Sequence, residues 1–129
     1  MMIDKKKQGA ANREWGKMAE DIAAEYLLTN GYIIRERNWR IGNRIEIDII
    51  AEKDGIIVFV EVKARKGDFQ SPEETVDSPK RKKMIQGGDI YLRGLSHLFP
   101  YRLDIITVTG SPESHEIKHL EDAFLPPLK

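Results

Sequence analysis

The chain has 129 residues, contains no cysteine and carries no formal net charge at pH 7. This length favours one small domain spanning residues 1–129, and the lack of cysteine excludes disulfides and thiolate metal sites. The opening segment MMIDKKKQGAANRE lacks the apolar stretch of a secretory signal, and no segment reaches the about 20 apolar residues of a membrane span. We therefore expect a soluble, cytoplasmic protein with no membrane partner, in which residues 1–12 form a flexible basic N-terminus.

The first half of the chain predicts one helix and three strands. A helix is predicted from about Glu14 to Asn30, because its apolar residues share one helical face and Gly31 follows as a stop signal. The segment YIIRERNW then predicts a strand. The segment RIEIDIIAEKDGIIVFVEVKAR predicts a β-hairpin that turns at Asp54-Gly55, since both residues tolerate the positive φ of a two-residue turn.

The second half predicts a loop, a helix and two more strands. Residues 67–77 are the expected loop, and Ser78 followed by Pro79 is typical of a helix start. The segments YRLDIITVTG and HEIKHL predict the last two strands. The resulting order is αβββαβ with one added strand, which predicts an α/β fold with a mixed sheet flanked by helices.

The predicted hairpin places four charged side chains on one face. Counting from the turn, Asp48 lies across from Glu61 and Glu46 across from Lys63, and side chains alternate between faces along a strand. The opposite face is predicted to be uniformly apolar and comprises Ile45, Ile47, Ile49, Val58, Val60 and Val62. Two carboxylates directly across from each other repel, so a cation is needed to compensate them.

Asp48 and Glu61 have the chemistry of a Mg²⁺ or Mn²⁺ site, since hard divalent cations prefer carboxylate oxygens. Lys63 would then orient a water molecule or stabilise the charge that develops on a phosphate. Glu20, at the border of the first helix's apolar face, is a third candidate ligand. The simpler alternatives are a cross-strand ion pair between Glu46 and Lys63 and an ordinary boundary residue at Glu20.

Basic residues gather near the hairpin and at the start of the second helix, where they could contact the phosphates of a nucleic acid. The candidate nucleic-acid-binding residues are Arg44, Arg65, Lys66, Lys80, Arg81, Lys82 and Lys83, with Gln86 as a weaker candidate. The alternative is that these clusters are solvated faces without a nucleic-acid partner.

Other polar and aromatic features are expected to be structural. His115 and His119 are predicted to form a surface pair, because a zinc site would need a third ligand and the chain has no cysteine. Trp15 and Trp39 are predicted to pack in the core and at the sheet edge. The segment GGD within the second helix lacks the lysine and hydroxyl of a phosphate-binding loop.

Several short motifs together resemble those of the bacterial YraN-type proteins, within the PD-(D/E)xK or restriction endonuclease-like superfamily. These motifs are GKMAEDIAAEYLLTNGY, RNWR, EIDIIAE, VFVEVKAR, SPEETV and DAF, and they extend from about Gly16 to Phe124. The resemblance implies a restriction endonuclease-like αβββαβ core, akin to that of archaeal Holliday-junction resolvases.

The resemblance also implies an activity and a catalytic set. It implies a Mg²⁺- or Mn²⁺-dependent endonuclease that hydrolyses phosphodiester bonds in DNA, with branched or damaged DNA as candidate substrates. Its catalytic positions match Glu20, Asp48, Glu61 and Lys63, and the first three would hold the metal. Resolvase-like relatives act as symmetric dimers, which is consistent with a homodimer here. The alternative function is a catalytically silent module that binds nucleic acid or a partner protein.

Overall fold

The structure, a computed structural model, describes residues 5–67 and 78–123. Its elements in chain order are α1 (Lys5–Thr29), β1 (Ile33–Ile41), β2 (Ile45–Lys53), β3 (Ile56–Arg65), α2 (Ser78–Arg93), β4 (Tyr101–Gly110) and β5 (His115–Leu120). The predicted mixed α/β fold with a restriction endonuclease-like αβββαβ core is confirmed. Apart from Gly67, the predicted loop over residues 67–77 lies outside the described residues, and so do the motif SPEETV and Phe124.

Helix α1 begins at Lys5 rather than near Glu14. The residues in between are mostly Lys, Gln, Ala and Arg, which favour helix, so α1 extends beyond its apolar periodicity. Most of the segment 1–12, which was expected to be flexible, is therefore helical, and residues 1–4 lie outside the described residues. The predicted stop is confirmed, because Gly31 has φ of 87° and Tyr32 N–H donates to the Leu27 carbonyl at 2.9 Å.

The five strands form one sheet in the order β1-β2-β3-β4-β5. Only β3 and β4 run parallel within this sheet, and α2 provides the connection between them. Helix α1 packs on one face over a cluster that includes Leu27 and Val60. Helix α2 packs on the other face over a cluster that includes Phe59 and Met84. No helix among residues 5–67 and 78–123 combines the length and apolar character needed to cross a membrane.

Close packing of α2 depends on two adjacent glycines. A Cβ atom at Gly87 would lie 2.7 Å from Ile45, and one at Gly88 would lie 3.0 Å from the Phe59 ring. The segment GGD is thus helical packing surface, as predicted. The predicted structural roles of both tryptophans are also confirmed, since Trp15 on α1 is buried in the cluster between this helix and the sheet, and the Trp39 ring packs edge-on against a tyrosine of α2.

The predicted hairpin register is confirmed over its first half. The strands pair from Lys53 with Ile56 to Ile49 with Val60, and the turn residues Asp54 and Gly55 both have positive φ. The pairing does not continue to the charged residues. Instead, the Asp48 carboxylate accepts a hydrogen bond of 2.8 Å from the backbone N–H of Val62. A side chain therefore takes the place of the next backbone contact between β2 and β3.

The side-chain alternation of β2 breaks at Asp48. Ile49 belongs to the cluster beneath α1, whereas Ile47 belongs to the cluster beneath α2. A regular strand would place both on one face, so the prediction that Ile45 and Ile47 share a face with Ile49 was wrong. The break has a counterpart in β1, where Asn38, across from Asp48 in the register, has φ of 51°.

Candidate functional site

A cleft of about 1000 Å³ opens beside this break and is bordered by α1, β1, β2, β3 and the start of α2. It is lined by all four residues predicted to be catalytic, Glu20, Asp48, Glu61 and Lys63. The four residues come from α1, β2 and β3, so the fold brings together side chains that are far apart in the sequence. Their meeting in one cleft agrees with the sequence prediction, although the strand geometry that produces it differs.

Asp48 and Glu61 form the buried acidic centre of the cleft. Only 3% of the Glu61 side chain is exposed, and Asp48 is half-buried. Burial, and next to it the negative charge of Glu61, raises the pKa of Asp48 to about 7, although the hydrogen bond from Val62 opposes this shift. The site therefore holds two carboxylates that are costly to keep ionised together.

Two ammonium groups approach Glu61 from different elements. Lys63 on β3 lies 3.5 Å from the Glu61 carboxylate, and Lys80 on α2 also forms an ion pair with it. Burial, more than any other cause, lowers the pKa of Lys63. Burial also disfavours the charge of Lys80, but its interaction with Glu61 raises the pKa of Lys80 overall. The sequence predicted Lys80 as a phosphate contact and did not show its place beside Glu61.

Glu20 reaches the same cleft from α1. Its carboxylate lies 4.0 Å from the Arg37 guanidinium, and Asn38 lines the same cleft. Burial raises the pKa of Glu20, while Arg37 and Asn38 act in the opposite direction. Asp21, the next residue of α1, contacts Arg37 at 2.7 Å.

The cross-strand ion pair between Glu46 and Lys63, considered above as the simpler alternative, is not observed. Glu46 instead lies 3.4 Å from Arg40 on β1, while Lys63 pairs with Glu61. The change follows from the break at Asp48, because residues that precede a break in alternation no longer share a face with those that follow it.

Three further basic residues line the cleft and were missed in the sequence, namely Arg13, Lys17 and Arg40. The spacing of two of them could have indicated their position. Arg13 and Lys17 precede Glu20 by seven and three residues and therefore share its helical face. Arg40 had no such signal, because it follows the positive φ of Asn38 on β1, which a period-two pattern does not include.

The predicted nucleic-acid-binding residues are distributed around the cleft. Arg65 and Lys80 line it, and Lys66 lines an adjacent cavity of about 630 Å³. The others are not among the cleft-lining residues, and most of them are exposed; they are Arg44, Arg81, Lys82, Lys83 and Gln86. Their binding to nucleic acid stays a prediction.

Comparison with known proteins identifies the family. The model of Uncharacterised protein family UPF0102 matches residues 19–108. The chain belongs to this family. It is the YraN family, so the resemblance predicted from the motifs is confirmed.

Relatives match nearly the whole length of this UPF0102 protein. A UPF0102 protein of Bacteroides thetaiotaomicron is 45% identical over 120 residues, which cover 92% of this chain and 98% of the relative. Another, from Phocaeicola vulgatus, is 43% identical over the same shares. A third, from Dictyoglomus turgidum, is 38% identical and covers 88% of this chain and 98% of its own length. The names of these relatives specify no reaction, so the cleft itself has to indicate the function.

A second polar group of this UPF0102 protein lies away from the cleft. Asp104, His119 and Glu121 each offer a ligand atom within 4.8 Å of the others and could hold a metal ion. The carboxylates of Glu20, Asp48 and Glu61 share a cleft but do not form so close a group.

The negative charge of this second group is already balanced by a neighbouring arginine. The Arg102 guanidinium lies 2.9 Å from Asp104 and 3.2 Å from Glu121. Burial would raise the pKa of Asp104, but its hydrogen bonds to His119 and Arg102 lower it. His119 also lies 3.0 Å from the Tyr26 hydroxyl. The predicted surface pair is therefore wrong for His119, while His115 is exposed.

Proposed function

We propose that this protein is a metal-dependent endonuclease that hydrolyses phosphodiester bonds in DNA. The observation that supports this most strongly is the pair of carboxylates formed by buried Glu61 and half-buried Asp48, in a cleft that also holds the Lys63 ammonium. A module that only binds DNA gains nothing from carboxylates, because they repel phosphate.

The donor set of the cleft fits a divalent cation such as Mg²⁺ or Mn²⁺. Asp48 and Glu61 offer hard carboxylate oxygens, and Lys80 occupies the position of a compensating cation beside Glu61. Burial and the negative charge of Glu61 raise the pKa of Asp48, and a bound cation would offset both effects. Asp48 and Glu61 would hold the ion, with Glu20 completing its coordination directly or through water.

Different side chains of the cleft would orient the water, stabilise the charge of the phosphate and bind the DNA. When bound, a divalent cation stabilises negative charge on a phosphoryl oxygen and activates water. Lys63 would orient the attacking water and donate a hydrogen bond to the phosphate as its charge increases. Water forms a bond to phosphorus and gives up one proton to solvent, one phosphorus–oxygen ester bond breaks, and the leaving oxygen takes up a proton from solvent. Arg13, Lys17 and Arg40 would hold the flanking phosphates.

A cleavage panel tests this function. Linear, nicked, flapped and four-way DNA should be incubated with the protein and Mg²⁺ or Mn²⁺, and with EDTA as the metal-free control. We expect metal-dependent strand breaks in at least one substrate and none with the Glu61→Gln variant. Binding of DNA without cleavage under every condition would contradict the nuclease and favour the binding module.

The basic residues of α1 should determine the salt dependence of DNA binding. Each neutralised phosphate contributes about 0.9 to the slope of log affinity against log salt on duplex DNA. The double variant Arg13→Ala/Lys17→Ala should therefore reduce the slope by about 1.8 in fluorescence anisotropy titrations. The matched control is Arg93→Ala/Lys118→Ala, which removes the same two residue types from positions outside the cleft. An equal loss of slope in both variants would contradict binding in the cleft.

Metal affinity should depend on pH through Asp48. Burial and Glu61 raise the pKa of Asp48 to about 7, so a bound metal must displace a proton at lower pH. The Mn²⁺ association constant should rise by up to about tenfold per pH unit below pH 7 and level off above it. Calorimetry from about pH 5.5 to 8 measures this, and an affinity that stays constant below pH 7 would exclude Asp48 as a ligand.

A further inference from the structure

Two lysines approach the same carboxylate oxygen of Glu61 in the cleft. Lys63 Nζ lies 3.5 Å from Glu61 Oε1, and Lys80 Nζ also forms an ion pair with this oxygen. Lys63 belongs to β3, as Glu61 does, whereas Lys80 comes from the first turn of α2. The structure therefore surrounds one oxygen of a buried glutamate with two ammonium groups from different elements.

Lys80 is the more exposed of the two lysines. Its side chain is 40% exposed, compared with 23% for Lys63. A lysine carries its ammonium on a flexible four-carbon chain, and the positive end of the helix dipole disfavours a cation in the first turn of α2. Lys80 can therefore leave Glu61 by rotation of its own side chain, without movement of either strand.

A divalent cation bound by Asp48 and Glu61 would change the charge balance around Lys80. The cation and the Lys80 ammonium would compete for the same buried carboxylate. The two charges of the cation match those of the two carboxylates, so Lys63 and Lys80 would then add positive charge to the cleft. The anion that the proposed reaction brings into this cleft is a DNA phosphate, and Lys80 lines the cleft.

We infer that Lys80 exchanges partners during the reaction: it forms an ion pair with Glu61 before the metal binds, and it binds a phosphate of the DNA once the metal has taken its place. This inference rests on the proposed function, because it assigns Lys80 a role in metal and substrate binding at the same site. Metal and DNA should consequently strengthen each other's binding, since both favour the same position of Lys80.

The variant Lys80→Met tests the competition between Lys80 and the metal. Methionine keeps an unbranched chain and removes the ammonium, so Glu61 loses the competing cation. Mn²⁺ affinity measured by calorimetry should rise about fivefold, as expected when a partly exposed ion pair no longer has to be broken. The matched control is Lys118→Met, at an exposed lysine outside the cleft, and it should bind Mn²⁺ like the wild type. Unchanged or weaker Mn²⁺ binding by Lys80→Met would overturn the competition.

Salt titrations test the second partner of Lys80. Fluorescence anisotropy with a labelled nicked duplex measures DNA affinity, and every protein carries Lys63→Ala so that cleavage is slow. With Mn²⁺, Lys80→Met should reduce the slope of log affinity against log salt by about 0.9, the contribution of one phosphate. With EDTA it should leave the slope unchanged, because Lys80 is then paired with Glu61. Lys118→Met should change neither slope. An equal reduction with and without Mn²⁺, or no reduction in either case, would overturn the exchange.

A measurement without metal or DNA keeps this inference separate from the proposed function. The free energies of unfolding of the wild type, Lys80→Met, Glu61→Gln and the double variant in EDTA form a double-mutant cycle. The ion pair predicts that the two substitutions are not additive, and additive effects would overturn the contact from which the exchange begins.

The outcomes for the site and for Lys80 differ. If the cycle shows the ion pair but wild-type protein neither binds Mn²⁺ nor cleaves DNA, the nuclease proposal fails and the exchange fails with it. If wild-type protein binds Mn²⁺ and cleaves DNA but Lys80→Met has the wild-type Mn²⁺ affinity, the exchange alone is wrong.

Discussion

Replacing Lys63 with alanine should reduce metal-dependent DNA cleavage about 10²–10³-fold, the usual effect of removing a donor that stabilises charge in the transition state. The Lys63 ammonium lies 3.5 Å from Glu61 and in the same cleft as Asp48. It holds no metal itself, so Mn²⁺ affinity should not fall. Single-turnover cleavage assays and Mn²⁺ calorimetry on the same preparations measure the two quantities.

The matched control for this variant is Lys118→Ala, which removes an exposed lysine of β5 outside the cleft. It should cleave DNA at the wild-type rate. DNA affinity of Lys63→Ala should fall only as expected for the loss of one positive charge. If Lys63→Ala cleaves DNA at the wild-type rate, the reaction occurs at another site or by another mechanism.

The variant Asp48→Asn should lose Mn²⁺ binding and yet be more stable than the wild type when no metal is present. Burial and the charge of Glu61 raise the pKa of Asp48 from 3.8 to about 7 in the folded protein. Ionised Asp48 therefore destabilises the fold. An asparagine can still accept the hydrogen bond from Val62 without carrying this charge.

The pH dependence of this effect has a defined sign. Between about pH 4 and pH 7 folded Asp48 binds more protons than the unfolded chain, so the free energy of unfolding decreases as pH rises through this range. The full penalty, on the order of 2–4 kcal/mol, is present above pH 7 and absent below pH 4. Urea denaturation with EDTA should show Asp48→Asn to be more stable at pH 8 and similar to wild type near pH 4. If Asp48→Asn is less stable than the wild type at pH 8, ionised Asp48 does not destabilise the fold.

Local sequence patterns were sufficient to predict most of the fold. The turn at Asp54-Gly55, the stop at Gly31 and the start of α2 at Ser78 each depend on a few neighbouring residues, and each is observed. The start of α1 was not predictable from periodicity, because its first turns are helical through residue propensity and not through an apolar face.

The meeting of the four candidate catalytic residues was predictable, although its geometry was not. Glu20, Asp48, Glu61 and Lys63 meet in one cleft as expected. A period-two pattern could not show the break at Asp48, which lies across from the positive φ of Asn38 on the neighbouring strand. For the same reason the sequence predicted the wrong sheet face for Ile45 and Ile47. It also placed Glu46 across from Lys63, which is not observed.

Contacts between elements that are distant in the sequence could not be predicted either. Lys80 was placed among surface basic residues, but the packing of α2 on the sheet brings it to Glu61. His119 belongs to a polar network with Asp104 that forms only when β4 and β5 pair. Neither contact has a local sequence signal.

The central claim, that Asp48 and Glu61 hold a divalent cation, is tested most directly by anomalous diffraction from crystals soaked in Mn²⁺. The account predicts one strong manganese peak within about 2.0–2.3 Å of oxygen atoms of both carboxylates, with the Lys80 ammonium displaced from Glu61. Absence of a peak in this cleft at saturating Mn²⁺, or a peak confined to Asp104, His119 and Glu121, would contradict it.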